Sequence, residues 1–454
     1  MTADSASNPS FKISNRPEFE TPAPVHTGAY ILVFDDDVKP TVAERKIRKA
    51  TGIRSAQSKD FDSDSEFITK AFAETNAAVF TRLGLAVIRP DDECDLAASM
   101  AAMKEDGDVV EYLPEFYLFT NEDLQRQYAD WVRNGLRILA DISTQDPQLL
   151  QLPPPEATES DVELIPRAAA AGMTWGLEAI GVPRTRYDGD GIRLCILDTG
   201  LDLDHVDFLG RAVHAASFIS GETAQDGNGH GTHVAGTAAG PVAPESGVIR
   251  YGVASASELF VGKVLSNSGS GSESTVIAGI EWALENRCDI ISMSLGRPTA
   301  IGEQPMRRYE RLGKAALDEG ALIISSGGNA SSRNFGYIAP VGSPANASTI
   351  MAVAAVNEDM HVANFSCGGL NPNGGEVNIC APGVDAFSSW IMPRRHHRIS
   401  GTSMACPHVS GTAALFAQSD PALRGRALWE KLEATAKHIG LNRRDGGAGL
   451  VQVP

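Results

Sequence analysis

The stretch LCILDTG, residues 194–200, sets the reading of the whole chain. Four apolar residues run without alternation and are closed by a glycine turn, the pattern of a strand buried on both faces. An acid, Asp198, ends the run. Runs of the same texture lie at 290–293 (IISM), 321–325 (ALIIS) and 350–356 (IMAVAAV), with helical segments at 275–285 and 306–319 between them. Continuous apolar strands alternating with helices predict an α/β fold of three layers, αβα, around a mainly parallel sheet. Such sheets bind ligands at the carboxyl ends of their strands, where Asp198 stands.

Two further segments put chemistry at helix starts. Residues 226–236, DGNGHGTHVAG, are a glycine-rich loop leading into a small-residue helix with His230 at its beginning. Residues 399–411, ISGTSMACPHVSG, crowd small residues around Ser403, place Pro407 four positions on and continue into Val409, Ala413, Leu415 and Phe416. Singly, each has a plain reading. Asp198 could cap a turn, Ser403 could cap a helix, and His230 with His233 could be a helix-start pair or an HxxH metal pair with no further ligand at the expected spacing. Together they supply what an alcohol nucleophile needs: an imidazole base beside it, and a carboxylate that fixes the tautomer of that base. The order Asp, His, Ser is one of several known for this constellation, and GTSMA at 401–405 is not a GxSxG elbow. The residues alone do not choose between His230 and His233.

The overall charge narrows the field. With 57 acidic and 39 basic residues the formal charge is -18, which argues against a nucleic-acid partner. No run approaches the roughly 18–20 apolar residues of a membrane span. The polar start, with Asp4 and Lys12, lacks the apolar core of a secretory leader, and six scattered cysteines (Cys94, Cys195, Cys288, Cys367, Cys380, Cys406) read as free thiols, so a cytoplasmic location is expected. A single DTG excludes a paired-aspartate protease, and no GxGxxG follows a strand.

The segmentation reads as four parts: a flexible tail over 1–27, a small domain over 28–119, a linker over 120–170 and the α/β domain over 171–454. In the small domain, a strand at 29–34 precedes a helix opened by a Thr41-to-Glu44 capping box and running to 50. A loop at 55–66, strands at 78–80 and 83–88, a helix at 94–104 and a strand at 109–119 broken near Pro114 follow. That order, β-α-β-β-α-β, is the ferredoxin-like α+β pattern. The linker holds an amphipathic stretch at 121–140 and the PPP of 153–155; near the end of the chain, Asp420 and Pro421 read as a helix start running to about 438.

DTG at 198–200, HGTH at 230–233 and GTSMACP at 401–407 are similar to the three signature blocks of the subtilisin-like serine proteases, the subtilases of peptidase family S8. The SWI of 389–391 before the serine block is in the style of the proteinase K branch, and GKVL (262–265), GIEW (279–282), SLG (294–296) and the GL of 449–450 extend the resemblance. It implies a subtilisin-like fold and a serine endopeptidase working through an acyl-enzyme. It also implies roles: Ser403 as nucleophile, His230 as general base and then acid, Asp198 orienting His230, and Asn329 of SGGNA (326–330) joining the Ser403 N–H as oxyanion donor. Ser294, Leu295 and Gly296 on one side, and Gly269, Ser270 and Gly271 on the other, resemble the edges that bind an extended peptide, with part of 336–345 completing the S1 wall.

Residues 28–119 resemble the inhibitor I9-type propeptide of the same family, with VEYLPE (110–115) in its last strand. The implied partners are therefore a peptide or protein substrate and the chain's own propeptide as intramolecular inhibitor, self-processed between Phe119 and Trp175. No cofactor is required for the chemistry. Calcium sites are common in the family; Asp207 matches one ligand position, the loop 242–250 does not supply partners, Asn378 stands where an acid is expected, and the metal ligands stay unknown. Two other readings remain at this level: a peptide ligase or macrocyclase on the same fold, and a scaffold that binds peptides without cutting. Cys406 is either a thiol-reagent target or inert, and RRHHR (394–398) is a solvated hairpin turn or a polyanion contact.

Overall fold

A computed structural model describes residues 24–58, 75–90, 96–120 and 172–454. The expected amphipathic stretch and linker within 121–171, and most of the expected tail, lie outside the described residues.

The N-terminal unit runs β1 (His26–Phe34), α1 (Pro40–Thr51), β2 (Ser55–Gln57), β3 (Ala77–Phe80), β4 (Leu85–Ile88), α2 (Leu96–Glu105) and β5 (Val109–Thr120). β1 alternates strictly. Leu32 and Phe34 meet Ala43, Ile47, Met100 and Met103 beneath the two helices, while Ile31 and Val33 point to the opposite face. Three local expectations are corrected. Pro40 takes the first helical position with Lys39 as N-cap, so Thr41 lies inside the helix and the expected capping box does not form. Residues 55–57, expected as loop, pair parallel with β3. β5 is continuous through Pro114, which stands opposite Tyr30.

The C-terminal unit contains α3 (Trp175–Ile180), β6 (Arg193–Asp198), β7 (Val213–Ser217), α4 (His230–Ala239), β8 (Glu258–Lys263), β9 (Ser270–Ser272), α5 (Glu273–Glu285), β10 (Ile290–Met293), β11 (Leu295–Gly296), α6 (Arg307–Asp318), β12 (Leu322–Ser326), β13 (Met351–Val356), β14 (Ile379–Pro382), β15 (Ala386–Ser389), β16 (His396–Ile399), α7 (Thr402–Ser419), α8 (Gly425–Thr435) and α9 (Arg443–Gly446). Its main sheet has the order β14-β13-β12-β10-β6-β8-β7, with every pairing parallel. β6 explains why its sequence does not alternate. Leu194 and Ile196 enter the core shared with Val234 of α4 and Val409 of α7, whereas Cys195 and Leu197 enter the core shared with Ile280 of α5 and Leu312 of α6. Helices therefore cover both faces, giving the three-layer αβα architecture. The last long helix begins at Gly425 rather than at Asp420; Asp420 instead ends α7 and accepts the Ala422 N–H in a turn.

The two units share one apolar core. Ile31, Val33, Phe80, Leu85 and Val87, on the helix-free face of the N-terminal sheet, pack with Val276, Ile280, Tyr309 and Leu312 of α5 and α6. β5 then extends past its own sheet and pairs with β9 on one side and β11 on the other.

Candidate active site

β6 delivers Asp198, fully buried, at its carboxyl end, and α4 begins at His230. His230 Nδ1 lies 2.6 Å from Asp198 Oδ1, which also accepts the Thr199 N–H at 2.7 Å. Burial pushes the Asp198 carboxyl above its ordinary range, and the imidazole beside it pulls it back. The turn into α4 needs glycine at 229, where φ is 107° and a Cβ would meet the Trp390 ring at 2.4 Å. Asp226 organises the same loop: Oδ1 accepts the N–H groups of Asn228 and Gly229 and the Thr199 hydroxyl, and Oδ2 accepts the N–H and hydroxyl of Thr232. Asp226 was not singled out from the sequence; an acid shortly before a helix start was the available signal.

His233 goes elsewhere. Its Nε2 lies 3.0 Å from the Ala386 carbonyl in the interior, and burial pushes its pKa down to about 3. The structure thus brings His230, and not His233, to Asp198.

Ser403 is the second residue of α7, which packs against α4. Its Oγ is 3.4 Å from the Ser294 carbonyl. Pro407 lies inside α7 and has no N–H for the Ser403 carbonyl four residues back; the Ser294 hydroxyl donates to that carbonyl at 2.8 Å. Asn329, just beyond the carboxyl end of β12, is held by its oxygen, which accepts the Thr402 N–H at 2.9 Å and the Thr402 hydroxyl at 2.8 Å. Its Nδ2 is then turned the other way, buried and without a hydrogen-bond partner among the described residues. A donor fixed in that manner awaits an acceptor.

The two segments expected to bind a peptide lie on either side of β5. Leu118 and Phe119 stand opposite Gly271 and Ser270, while Phe119 and Thr120 stand opposite Gly296 and Leu295. The Thr120 N–H donates to the Gly269 carbonyl at 2.9 Å. Reciprocal bonds between Arg297 and Ser343, at 2.8 and 2.9 Å, tie β11 to the 336–345 segment. Gly296 leaves room for that segment, since a Cβ there would lie 2.6 Å from the Ser343 carbonyl oxygen.

Cys406 is fully buried against the Ile324 carbonyl, and burial pushes its thiol up to about 11, so it is the inert alternative. The calcium ligand position at Asp207 does not offer the oxygen cage that calcium takes, although His205, Asp207 and His396 bring their ligand atoms within 4.8 Å of one another. The Asp207 carboxylate accepts the Ser246 N–H (2.8 Å), the Ser246 and Tyr251 hydroxyls (2.9 and 2.7 Å) and His396 Nε2 (2.9 Å), all donors rather than the 6–8 oxygens calcium takes. Against its own burial, these donors hold Asp207 well below the usual carboxylate range. The nearby His205 is also engaged, with Nε2 on the Arg395 carbonyl and Nδ1 on the Asp207 N–H. His396, expected in a solvated turn, is therefore buried in β16, a correction to the reading of 394–398. Asn378 Oδ1 is likewise used, accepting the Ala352 N–H at 2.7 Å.

Known proteins resemble this chain. The subtilase family matches residues 189–449. Subtilisin DY of Bacillus licheniformis is 37% identical over 281 residues, spanning 61% of this chain and 94% of that protein. M-protease of Shouchella clausii (strain KSM-K16) is 35% identical over 316 residues, covering 68% of this chain and 76% of the other. Among solved structures, sphericase superposes with a TM-score of 0.53 at 31% identity, covering 63% of this chain and all of that one. The fold and these relatives define a serine-type endopeptidase, a hydrolase of peptide and protein substrates. The chain belongs to the subtilase family.

Proposed function

We propose that the peptide bond is cut by a triad of Asp198, His230 and Ser403, and that residues 28–119 are a propeptide keeping the enzyme inhibited until it is removed. Asp198 accepts the Nδ1 proton of His230, leaving the lone pair on Nε2 to take the Ser403 proton as Oγ attacks the substrate carbonyl. The oxyanion is met by Asn329 Nδ2 and by the Ser403 N–H, near the positive end of α7. His230 then protonates the leaving amine, and water releases the acyl group by the reverse sequence.

The observation that carries this reading is the buried Nδ2 of Asn329, without a hydrogen-bond partner among the described residues and turned away from the oxygen that Thr402 grips next to Ser403. Inhibition by the N-terminal unit is supported by β5, which fills the cleft between β9 and β11.

The test is the intact mass of the wild type beside Ser403→Ala, with casein hydrolysis assayed on both. The expected result is that only the wild type shortens between Phe119 and Trp175 and digests casein. Equal casein hydrolysis by the two proteins would overturn the nucleophile assignment. A wild type that digests casein while remaining full length would overturn the propeptide assignment.

A further inference from the structure

Beyond the residues paired with β9 and β11, β5 carries Phe116, whose side chain shares a face with Leu118 and Thr120, all three buried. Phe116 is gripped by residues of the enzyme unit. Its N–H donates to Glu273 Oε2 at 2.9 Å, and its ring lies beneath two guanidinium groups, with Arg297 Cζ 4.8 Å and Arg308 Cζ 5.6 Å from the centroid. The platform is held together by contacts within the enzyme unit: Arg308 pairs with Glu273 at 3.0 Å, both fully buried beneath β5, and the Tyr309 hydroxyl donates to Glu273 at 2.7 Å. A second observation shows what the arginines are for. Nε of Arg297, and Nε and Nη1 of Arg308, are buried with no hydrogen-bond partner among the described residues, so the π face of Phe116 is what compensates them.

We propose that Arg297, Arg308 and Glu273 form a distal substrate subsite that receives an aromatic side chain four residues before the one facing Leu295, the place Phe116 holds relative to Thr120. This deepens the reading of β5 as a strand lying along the substrate path and rests on it. The chemistry is specific. A guanidinium pair over an aromatic ring gains from the ring quadrupole, which an aliphatic side chain of similar size lacks, and the Glu273 carboxylate takes the backbone N–H of the same residue. Selection therefore reaches further from the scissile bond than the residues clasped between β9 and β11.

The probe is the synthetic peptide YLPEFYLFTNEDLQ, residues 112–125, given to the enzyme freed of its N-terminal unit, with products located by mass. Versions with Phe116→Tyr, Phe116→Leu and Phe116→Ala are compared by kcat/KM. Tyr is expected to match Phe, Leu to fall about fivefold and Ala about tenfold or more. On an Arg297→Met enzyme, which leaves the buried Arg308–Glu273 pair intact, the gap between Phe and Leu is expected to close. Equal rates for Phe and Leu on the wild type, or an unchanged gap on Arg297→Met, would overturn the subsite. If casein is digested but no version of the peptide is cut, the substrate-like reading of β5 fails and the subsite with it. The wild-type series decides the matter even if the variant does not fold.

Discussion

Glu115 Oε1 accepts the N–H of Ser274 at 2.7 Å, so a fully buried carboxylate of the N-terminal unit caps the first turn of an enzyme helix 159 residues further along the chain. Glu111 repeats the device at α6, accepting the Arg307 N–H at 3.1 Å where Met306, the N-cap, makes no side-chain cap hydrogen bond. Orphan N–H groups and the positive dipole end make a helix start a carboxylate site, and each such contact is worth about 1 kcal/mol.

Glu115→Ala is therefore expected to loosen the N-terminal unit by about 1–2 kcal/mol, shortening roughly tenfold the lag before casein hydrolysis begins. Glu111→Ala, at a half-exposed contact, is expected to shorten it less. A lag unchanged in both variants would show that the caps do not contribute to inhibition.

Asn329→Leu removes the Nδ2 donor without removing bulk. Its kcat is expected to fall 10²–10³-fold with KM little changed, the loss established for the oxyanion asparagine of subtilisin. Thr402→Val frees the Asn329 oxygen from one of its two holds and is expected to cost roughly tenfold in kcat. A change confined to KM would assign Asn329 to ground-state binding instead.

Acid stability carries a signature of two buried imidazoles. Burial pushes His233 down to about 3 and His408 down to about 4, whereas the unfolded chain protonates histidine near 6.5. Between pH 6.5 and about 4 the unfolded state thus binds protons that the folded state refuses. Stability is full above pH 6.5 and falls as the pH drops, by about 1.4 kcal/mol per unit for each histidine. Urea unfolding of the Ser403→Ala protein, which cannot digest itself if Ser403 is the nucleophile, measures the slope. Adding His408→Gln is expected to flatten it by one proton.

At Asp207 the buried partner is His396, whose Nε2 lies 2.9 Å from the carboxylate, so calcium is not expected to matter there. His396→Leu leaves a buried carboxylate with two hydroxyls and one N–H, and is expected to destabilise the fold by about 3–5 kcal/mol. Millimolar calcium is expected not to restore the melting temperature. A rescue by calcium would show that the pocket accepts a cation once the imidazole is gone.

The residues proposed to be catalytic were legible because each sits in a local signature whose spacing suits that chemistry, and the buried strands were legible because burial on both faces leaves an unbroken apolar run. The remainder depends on contacts distant in sequence. β7, VHAAS, is an edge strand with little apolar content, so periodicity could not separate it from loop. The capping box expected at Thr41 gives way to Pro40, whose fixed φ suits the first helical position. Arg297, Arg308 and Glu273 carry no local signature, because they meet only under β5. His396 likewise looked solvated within a basic run, because its acid partner lies 189 residues away.

β5 is one unbroken strand with its beginning in the N-terminal sheet and its end between β9 and β11. No hinge separates the part that folds from the part that blocks. Damage to the N-terminal sheet, by a nick or by local melting, therefore also withdraws the plug, and once that sheet is digested nothing can reseat it. Under the proposed reading, the first freed molecule can cut the N-terminal units of its neighbours. Activation would then spread through a population like an ignition front, slow to start, faster at higher concentration and impossible to reverse.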